Sequence, residues 1–424
     1  MEEKTHYSQV VLVTIAFLFC CTISIPTQAE SLEPLRSFLA SLPLVSATDA
    51  VGAATLTQVR YSFLTVFLVL AAGTLTLNLL LSHRIGWRLG GTPPLVSLLL
   101  FAAVAAISAV YFKNIADTAK LFVYVELAIS IAWMTAGEKR FLCRSLLKLL
   151  LTVGVLNALV TVAQFLVLAQ GSTGVRALRM ARPDGLFGDS ILSALVGAMT
   201  LFVVLNRADM PWSRKIALSL LLLVAGVLTG ARSFYYLAAG ACILGVAFAL
   251  QGSGIKAILC CAICVIGIAA IVVMVDRISD FEESVSSVSS DVLSGRDLKA
   301  ALALQEFDEH PVIGIGTGRY AHAEAAYYAE TMTKAGLNGT NPHNIYLQVL
   351  CENGIVGFIL FAIFIGCTLW QLWRQRSWQA FSIFGLFLVS GMTLGVFYSA
   401  SVASFVLALI FANLPATVSS VSER

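Results

Sequence analysis

Asn341-Pro-His-Asn-Ile-Tyr-Leu-Gln-Val-Leu-Cys-Glu-Asn-Gly-Ile-Val-Gly-Phe-Ile-Leu-Phe361 is the stretch on which the reading of this chain turns. Asn341 and Pro342 are turn formers. His343 and Asn344 stand at the mouth of a long apolar helix, whose first turn suits a proline with its fixed φ. A titratable imidazole therefore sits where a polar segment meets a run of membrane length. Such a residue either handles a proton at the aqueous–lipid boundary or merely snorkels there.

The composition around it agrees with a membrane protein. The 424 residues are 58% hydrophobic and 12% charged, whereas soluble domains carry about 25% charged residues. Apolar runs of about 20 residues recur and predict transmembrane helices. The expected fold class is all-α, a polytopic integral membrane helical bundle of about 12 transmembrane helices. It forms a single integral membrane domain, 1–424, with one large loop, 276–342, inserted between spans 9 and 10. The net charge of +3 gives no reason to expect a nucleic acid partner. Most of the nine cysteines lie in apolar runs. Cys261 and Cys264 form a C-x-x-C without a second pair, so they are expected to pack rather than to bind metal.

The expected spans run at Gln9–Ile25, Gln58–Leu81, Pro94–Phe112, Ile115–Thr135, Ser145–Ala169, Phe187–Asn206, Ile216–Gly230, Ser233–Leu250, Ile255–Val275, Asn344–Trp373, Gln379–Gly395 and Val396–Ala412. The first fits a retained span or a cleaved signal peptide, and retention is the expectation. Arg84 and Arg88, Lys139 to Lys148, Arg207 to Lys215, Lys256, and Arg374 with Arg376 then fall on one side with both termini. By the positive-inside bias that side is the cytoplasm.

Other arginines break the bias. Arg176, Arg179 and Arg182 lie in an outward connection, and Arg232 tips the tight link Thr229-Gly-Ala-Arg-Ser233. They fit either lipid phosphates and the nearby Asp184 and Asp189, or a pocket for a doubly charged phosphate group that guanidinium forks match. The loop 276–342 begins acidic and serine-rich. Ser294-Gly-Arg296 reads as a helix start, Lys299 to Glu309 as an amphipathic helix, and His310-Pro311 as its stop. Gly314, Gly316 and Gly318, before Arg319, read as a flexible turn, since no Walker lysine accompanies them. A second amphipathic helix, Tyr320 to Lys334 with His322 and Glu324, would let the loop fold back as a lid. Within the spans, Asp117 and Lys120 can pair, and Glu126 lies deep enough to mark a site or a buried hydrogen bond.

Four blocks in order resemble the O-antigen ligase and polymerase superfamily. They are Arg182-Pro-Asp-Gly-Leu-Phe-Gly-Asp189, Ala231-Arg232-Ser233, Ser294-Gly-Arg296 with Glu309-His-Pro-Val-Ile-Gly-Ile-Gly-Thr-Gly318, and Asn341 to Gly357. The resemblance covers about Leu166 to Phe361, and Ser190 departs from the Pro-Asn common after the first block. It implies a metal-free, nucleotide-free glycosyltransferase without cofactors in the bacterial inner membrane, facing the periplasm. The donor would be a glycan on undecaprenyl diphosphate. The acceptor would be lipid A–core for a ligase, or a second lipid-linked glycan for a polymerase. Fitted to that chemistry, Arg182 and Arg232 stabilise the departing diphosphate. Arg176, Arg179, Arg296, Arg319 and Asn344 are further binding candidates, and His343 orients or deprotonates the acceptor hydroxyl. A lipid-linked oligosaccharide flippase is the alternative from another class, but transporters show repeated halves that this chain lacks.

Overall fold

The computed structural model describes residues 8–16, 92–111, 119–168, 183–187, 189–250, 295–320, 323, 342–393 and 400–415. At 119–120, 167–168, 232, 246–250, 295–298 and 400–401 it describes the backbone alone. Arg176, Arg179, Arg182, His322, Glu324, Cys261, Cys264 and the expected spans at 58–81 and 255–275 lie outside the described residues.

Every regular element among the described residues is a helix. Besides the helical stretch 8–16 and a 3-10 turn at Gly185–Phe187, they are α1 (Pro93–Tyr111), α2 (Ala119–Ala132), α3 (Ala136–Leu168), α4 (Ser190–Asn206), α5 (Trp212–Leu228), α6 (Arg232–Leu250), α7 (Gly295–Glu309), α8 (Ile345–Arg374), α9 (Trp378–Ser390) and α10 (Ala400–Asn413). Three of them, in α1, α3 and α8, are long and apolar enough to cross a membrane. The α7 helix stops at Glu309, where the sequence predicts.

Helix contacts rest on small residues and on hydroxyls, as expected where lipid offers no less apolar a surface than a neighbouring helix. Thr200 packs on Gly154, and its hydroxyl reaches the Leu150 carbonyl at 3.3 Å. Asn157 meets Ser193, so α3 and α4 run antiparallel. The Phe234 ring occupies the space beside Gly226, joining α5 to α6. The Phe101 and Phe361 rings lie 5.5 Å apart, tilted by 43°, while Ser108 meets Glu352, so α1 and α8 are antiparallel too. Gly240 against Leu386 pairs α6 with α9.

These pairings sort the bundle into two ends. At one end Lys139 donates from Nζ to the carbonyls of Leu414 and Pro415 at 3.1 and 3.2 Å, capping the end of α10. Lys215 reaches the Leu205 carbonyl and lies 5.1 Å over Trp212. Arg207 pairs with Asp209, and Trp373, Trp378 and Phe381 cluster beside Arg374 and Arg376. Basic residues and tryptophans thus share one end, as at a membrane interface. The other end gathers the start of α4, the start of α6, the end of α1 and the start of α8.

Candidate functional site

The span expected at Asn344–Trp373 is not one continuous helix. Gly354 inside α8 has φ 64° and ψ −170°, a conformation open essentially to glycine. An unbroken helix would bond Ile355 N–H to Cys351 O and Val356 N–H to Glu352 O. Instead Ile355 donates to Pro311 O at 2.8 Å and Val356 to Val312 O at 3.4 Å. The two vacated carbonyls accept from Ile315 and Gly316, each at 3.0 Å. The 311–316 backbone is therefore spliced into the helix ladder, and every group left by the break has a partner.

This corrects the expectation of a flexible glycine turn. Gly314, Gly316 and Gly318 have φ of 69°, 103° and 80°, and Gly314 and Gly316 are buried. A Cβ on Gly314 would strike the Glu352 and Asn353 backbone, and one on Gly354 the Val312 carbonyl. The glycines are there for close approach, not for mobility. Ser108 of α1 bridges both partners, donating to Ile313 O at 2.9 Å and Glu352 O at 3.3 Å. Thr317 donates to Asn353 Oδ1 at 2.9 Å, and Gln348 to Glu352 Oε1 at 3.3 Å. The buried carboxylate of Glu352 thus sits in a polar layer at the end of α1.

The break re-aims the first segment of α8. Straight, the helix would hold Tyr346 about 40 Å beyond Trp373, whereas α9 climbs only about 15 Å from Trp378 to Leu388. Yet Tyr346 donates its hydroxyl to Leu388 O at 2.9 Å. Ile345 N–H donates to Gly391 O at 2.7 Å, and its Cγ2 lies where a Cβ on Gly391 would fall. Residues 345–353 therefore lie across the end of α9.

At the head of that segment, Asn344 is the N-cap. Its Oδ1 accepts from Tyr346 N at 2.9 Å and Leu347 N at 3.2 Å. Pro342 stands two residues before the cap, outside the first turn where the sequence suggested it. His343 is half-buried and takes φ 51°, rare for a residue with a side chain. Next to this platform runs the start of α6. Tyr236, one turn after Arg232, donates to Thr393 Oγ1 at 2.8 Å, two residues beyond Gly391. The structure thus brings the backbone of Arg232 and the His343–Asn344 entry to one turn at the end of α9.

A second backbone feature stands at the same end. Asp184 to Phe187 form a tight turn with Gly185 at φ 65°. Gln164 accepts from Gly185 N at 2.8 Å and donates to Gly185 O at 3.2 Å, and Asn157 Oδ1 accepts from Leu186 N at 2.8 Å. Ser193 donates to Asp184 O. Asp189 is the N-cap of α4, its Oδ1 accepting from Ile191 N at 2.7 Å and Leu192 N at 3.1 Å.

Arg296 opens α7, and Arg319 closes the glycine run half-buried. Lys299, Leu302 and Ala303 of α7 are buried, and the two apolar residues pack with Ile315, Tyr320 and Cys351. On the exposed side, burial pushes the Glu306 carboxyl up, repulsion from Glu309 adds to this, and His310 and Arg319 oppose it. Among the described residues no three His, Cys, Asp or Glu side chains stand close enough to hold a metal ion.

Residues 217–362 match the family model described as O-antigen ligase. That match supports the O-antigen ligase-like superfamily, and with it a membrane glycosyltransferase of the O-antigen ligase type. No curated protein matches the chain. The matched segment carries Arg232, Arg296, Arg319, His343 and Asn344, while Arg176, Arg179 and Arg182 precede it.

Several residues that shape this O-antigen ligase-like segment escape a reading of the sequence. Ser108, Tyr236 and Thr393 look like ordinary span residues and act through partners far along the chain. Asn157 and Gln164 left a signal, two amides seven residues apart on one face of an apolar helix.

Proposed function

We propose that the protein transfers an oligo- or polysaccharide from undecaprenyl diphosphate to lipid A–core at the periplasmic face of the bacterial inner membrane. What supports this reading is that Tyr236, one turn after Arg232, and Ile345, two residues after His343, both bond the turn that ends α9, opposite the basic end of the bundle. By the positive-inside bias the basic end is cytoplasmic, with both termini, which leaves the candidate site facing outward. The full bundle then has about 12 spans, with 276–342 as a periplasmic loop.

In the transfer, the bond from the anomeric carbon to the diphosphate oxygen breaks, and a bond to the acceptor oxygen forms. Negative charge grows on the leaving diphosphate. Arg232 and Arg182 are the groups assigned to stabilise it, because fixed donors at a membrane edge act better than reorganising water. Arg176, Arg179, Arg296 and Arg319 add positive potential for the diphosphate and glycan. His343 receives the proton of the acceptor hydroxyl, the role of a general base. Its positive φ and the Asn344 cap hold it at a fixed place. One direct displacement inverts the anomeric centre. A product that keeps the donor's anomeric configuration would sink the direct displacement.

The test is reconstitution with an undecaprenyl-diphosphate-linked glycan, with and without lipid A–core. A single transfer that requires lipid A–core supports the reading. A ladder formed from the lipid-linked glycan alone would instead make the protein a polymerase. No product from folded protein would point to a transporter.

A further inference from the structure

The turn that ends α9 holds both halves of the candidate site. Leu388 O and Gly391 O hold Tyr346 and Ile345, immediately after His343 and Asn344. Thr393 holds Tyr236, one turn after Arg232. In that second contact the Tyr236 phenol donates to Thr393 Oγ1 at 2.8 Å, and the Thr393 hydroxyl donates onward to the Ser390 carbonyl at 3.1 Å. Tyr236 to Thr393 to Ser390 is a polarised chain. It spans 157 residues of sequence and ties α6 to the platform under His343. Tyr236 is 39% exposed, so its hydrogen bond adds little to the bundle's core. Its effect is on where the start of α6 stands.

We propose that Tyr236 is a positioning residue for the transfer reaction, setting the first turn of α6 against the His343 entry through Thr393. This rests on the functional reading above. Misplacement of a reacting group by a fraction of an ångström lowers the rate of chemistry more than it lowers binding. The loss on breaking the chain therefore falls on kcat, with the donor KM nearly unchanged.

The experiment measures transfer by reconstituted full-length Tyr236→Phe, Thr393→Val, Thr393→Ser and the Tyr236→Phe/Thr393→Val pair, with thermal unfolding in detergent as the check on folding. Tyr236→Phe and Thr393→Val are each expected to lower kcat about tenfold, the worth of one hydrogen bond. Thr393→Ser keeps the hydroxyl and is expected to stay within about twofold of wild type, and the pair to lose no more than the worse single variant. Wild-type activity of Tyr236→Phe overturns the proposal, as does a Thr393→Ser as poor as Thr393→Val. Independent, multiplying losses in the pair also overturn it. So does an impaired Tyr236→Phe beside an unimpaired Thr393→Val, which would place the phenol directly on the glycan. Should one single variant fail to fold, the proposal is decided by the other and by Thr393→Ser. Retained transfer in Arg232→Ala and His343→Ala would reject the functional reading itself. Loss in those two beside a wild-type Tyr236→Phe rejects only this inference.

Discussion

Ile315 donates its backbone N–H to the Cys351 carbonyl at 3.0 Å, the bond that an unbroken helix would give to Ile355. Through this exchange the end of α7, the glycine run and the entry of α8 become one connected body, although about 40 residues separate the two strands of the splice. The segment that carries His343 is aimed by a loop backbone and not by its own helix alone.

Replacing Gly354 should break this arrangement. An alanine cannot hold φ 64° with ψ −170° without strain, and its Cβ would strike Val312 O. Gly354→Ala is expected to destabilise the protein by about 2 kcal/mol or more and to remove transfer. Thermal unfolding in detergent, read beside the transfer assay, checks it; unchanged stability would mean that the splice does not exist in the protein.

The hydroxyl of Ser108 joins α1 to both sides of the splice. Ser108→Ala leaves the Ile313 carbonyl without that donor and should cost about 1 kcal/mol. An unfolding midpoint equal to or above wild type would contradict this.

Asn344 has a structural task that its place beside His343 conceals. Its Oδ1 caps α8. Asn344→Ala should lose about 1 kcal/mol, whereas Asn344→Ser and Asn344→Asp keep an acceptor oxygen and should keep most of the stability. If Asn344 also binds substrate, transfer will fall in Asn344→Ser while stability holds. Parallel loss of both in every variant would leave only the capping role.

Glu306 gives a pH dependence with a definite sign. Its carboxyl is raised, first by burial and then by Glu309. The folded state therefore holds this proton more tightly than the unfolded chain. The stability it contributes is fully present below the ordinary carboxyl range, near pH 4.5, and is lost as pH rises through the raised value. Wild type should lose a little stability from pH 4 upward relative to Glu306→Gln, with the effect muted because the group is partly exposed. Equal slopes for the two proteins over that range would contradict the assignment.

Much of this architecture could be read from residue types. His310-Pro311 ends α7 because stop residues act locally. Asn344 was expected to bind substrate, and its capping bonds to Tyr346 and Leu347 show only in the structure. The splice was not legible, since it is made of backbone groups on two distant segments. Gly314 and Gly354 are its trace, and a glycine required for close approach looks in sequence like a glycine that merely bends. That the start of α6 and the segment after His343 both bond the turn ending α9 was legible only as shared sidedness. The contact that brings them to one turn passes through Tyr236 and Thr393, two residues without a motif.

The most direct measurement of the central claim is glycan transfer by purified His343→Ala and Arg232→Ala, reconstituted with the lipid-diphosphate-linked donor and lipid A–core. With both variants folded as wild type, the account predicts that each loses about 100-fold or more in kcat, the scale for removing a charge-stabilising group or a general base. Wild-type rates in either variant would contradict a site built where the His343 entry meets the start of α6.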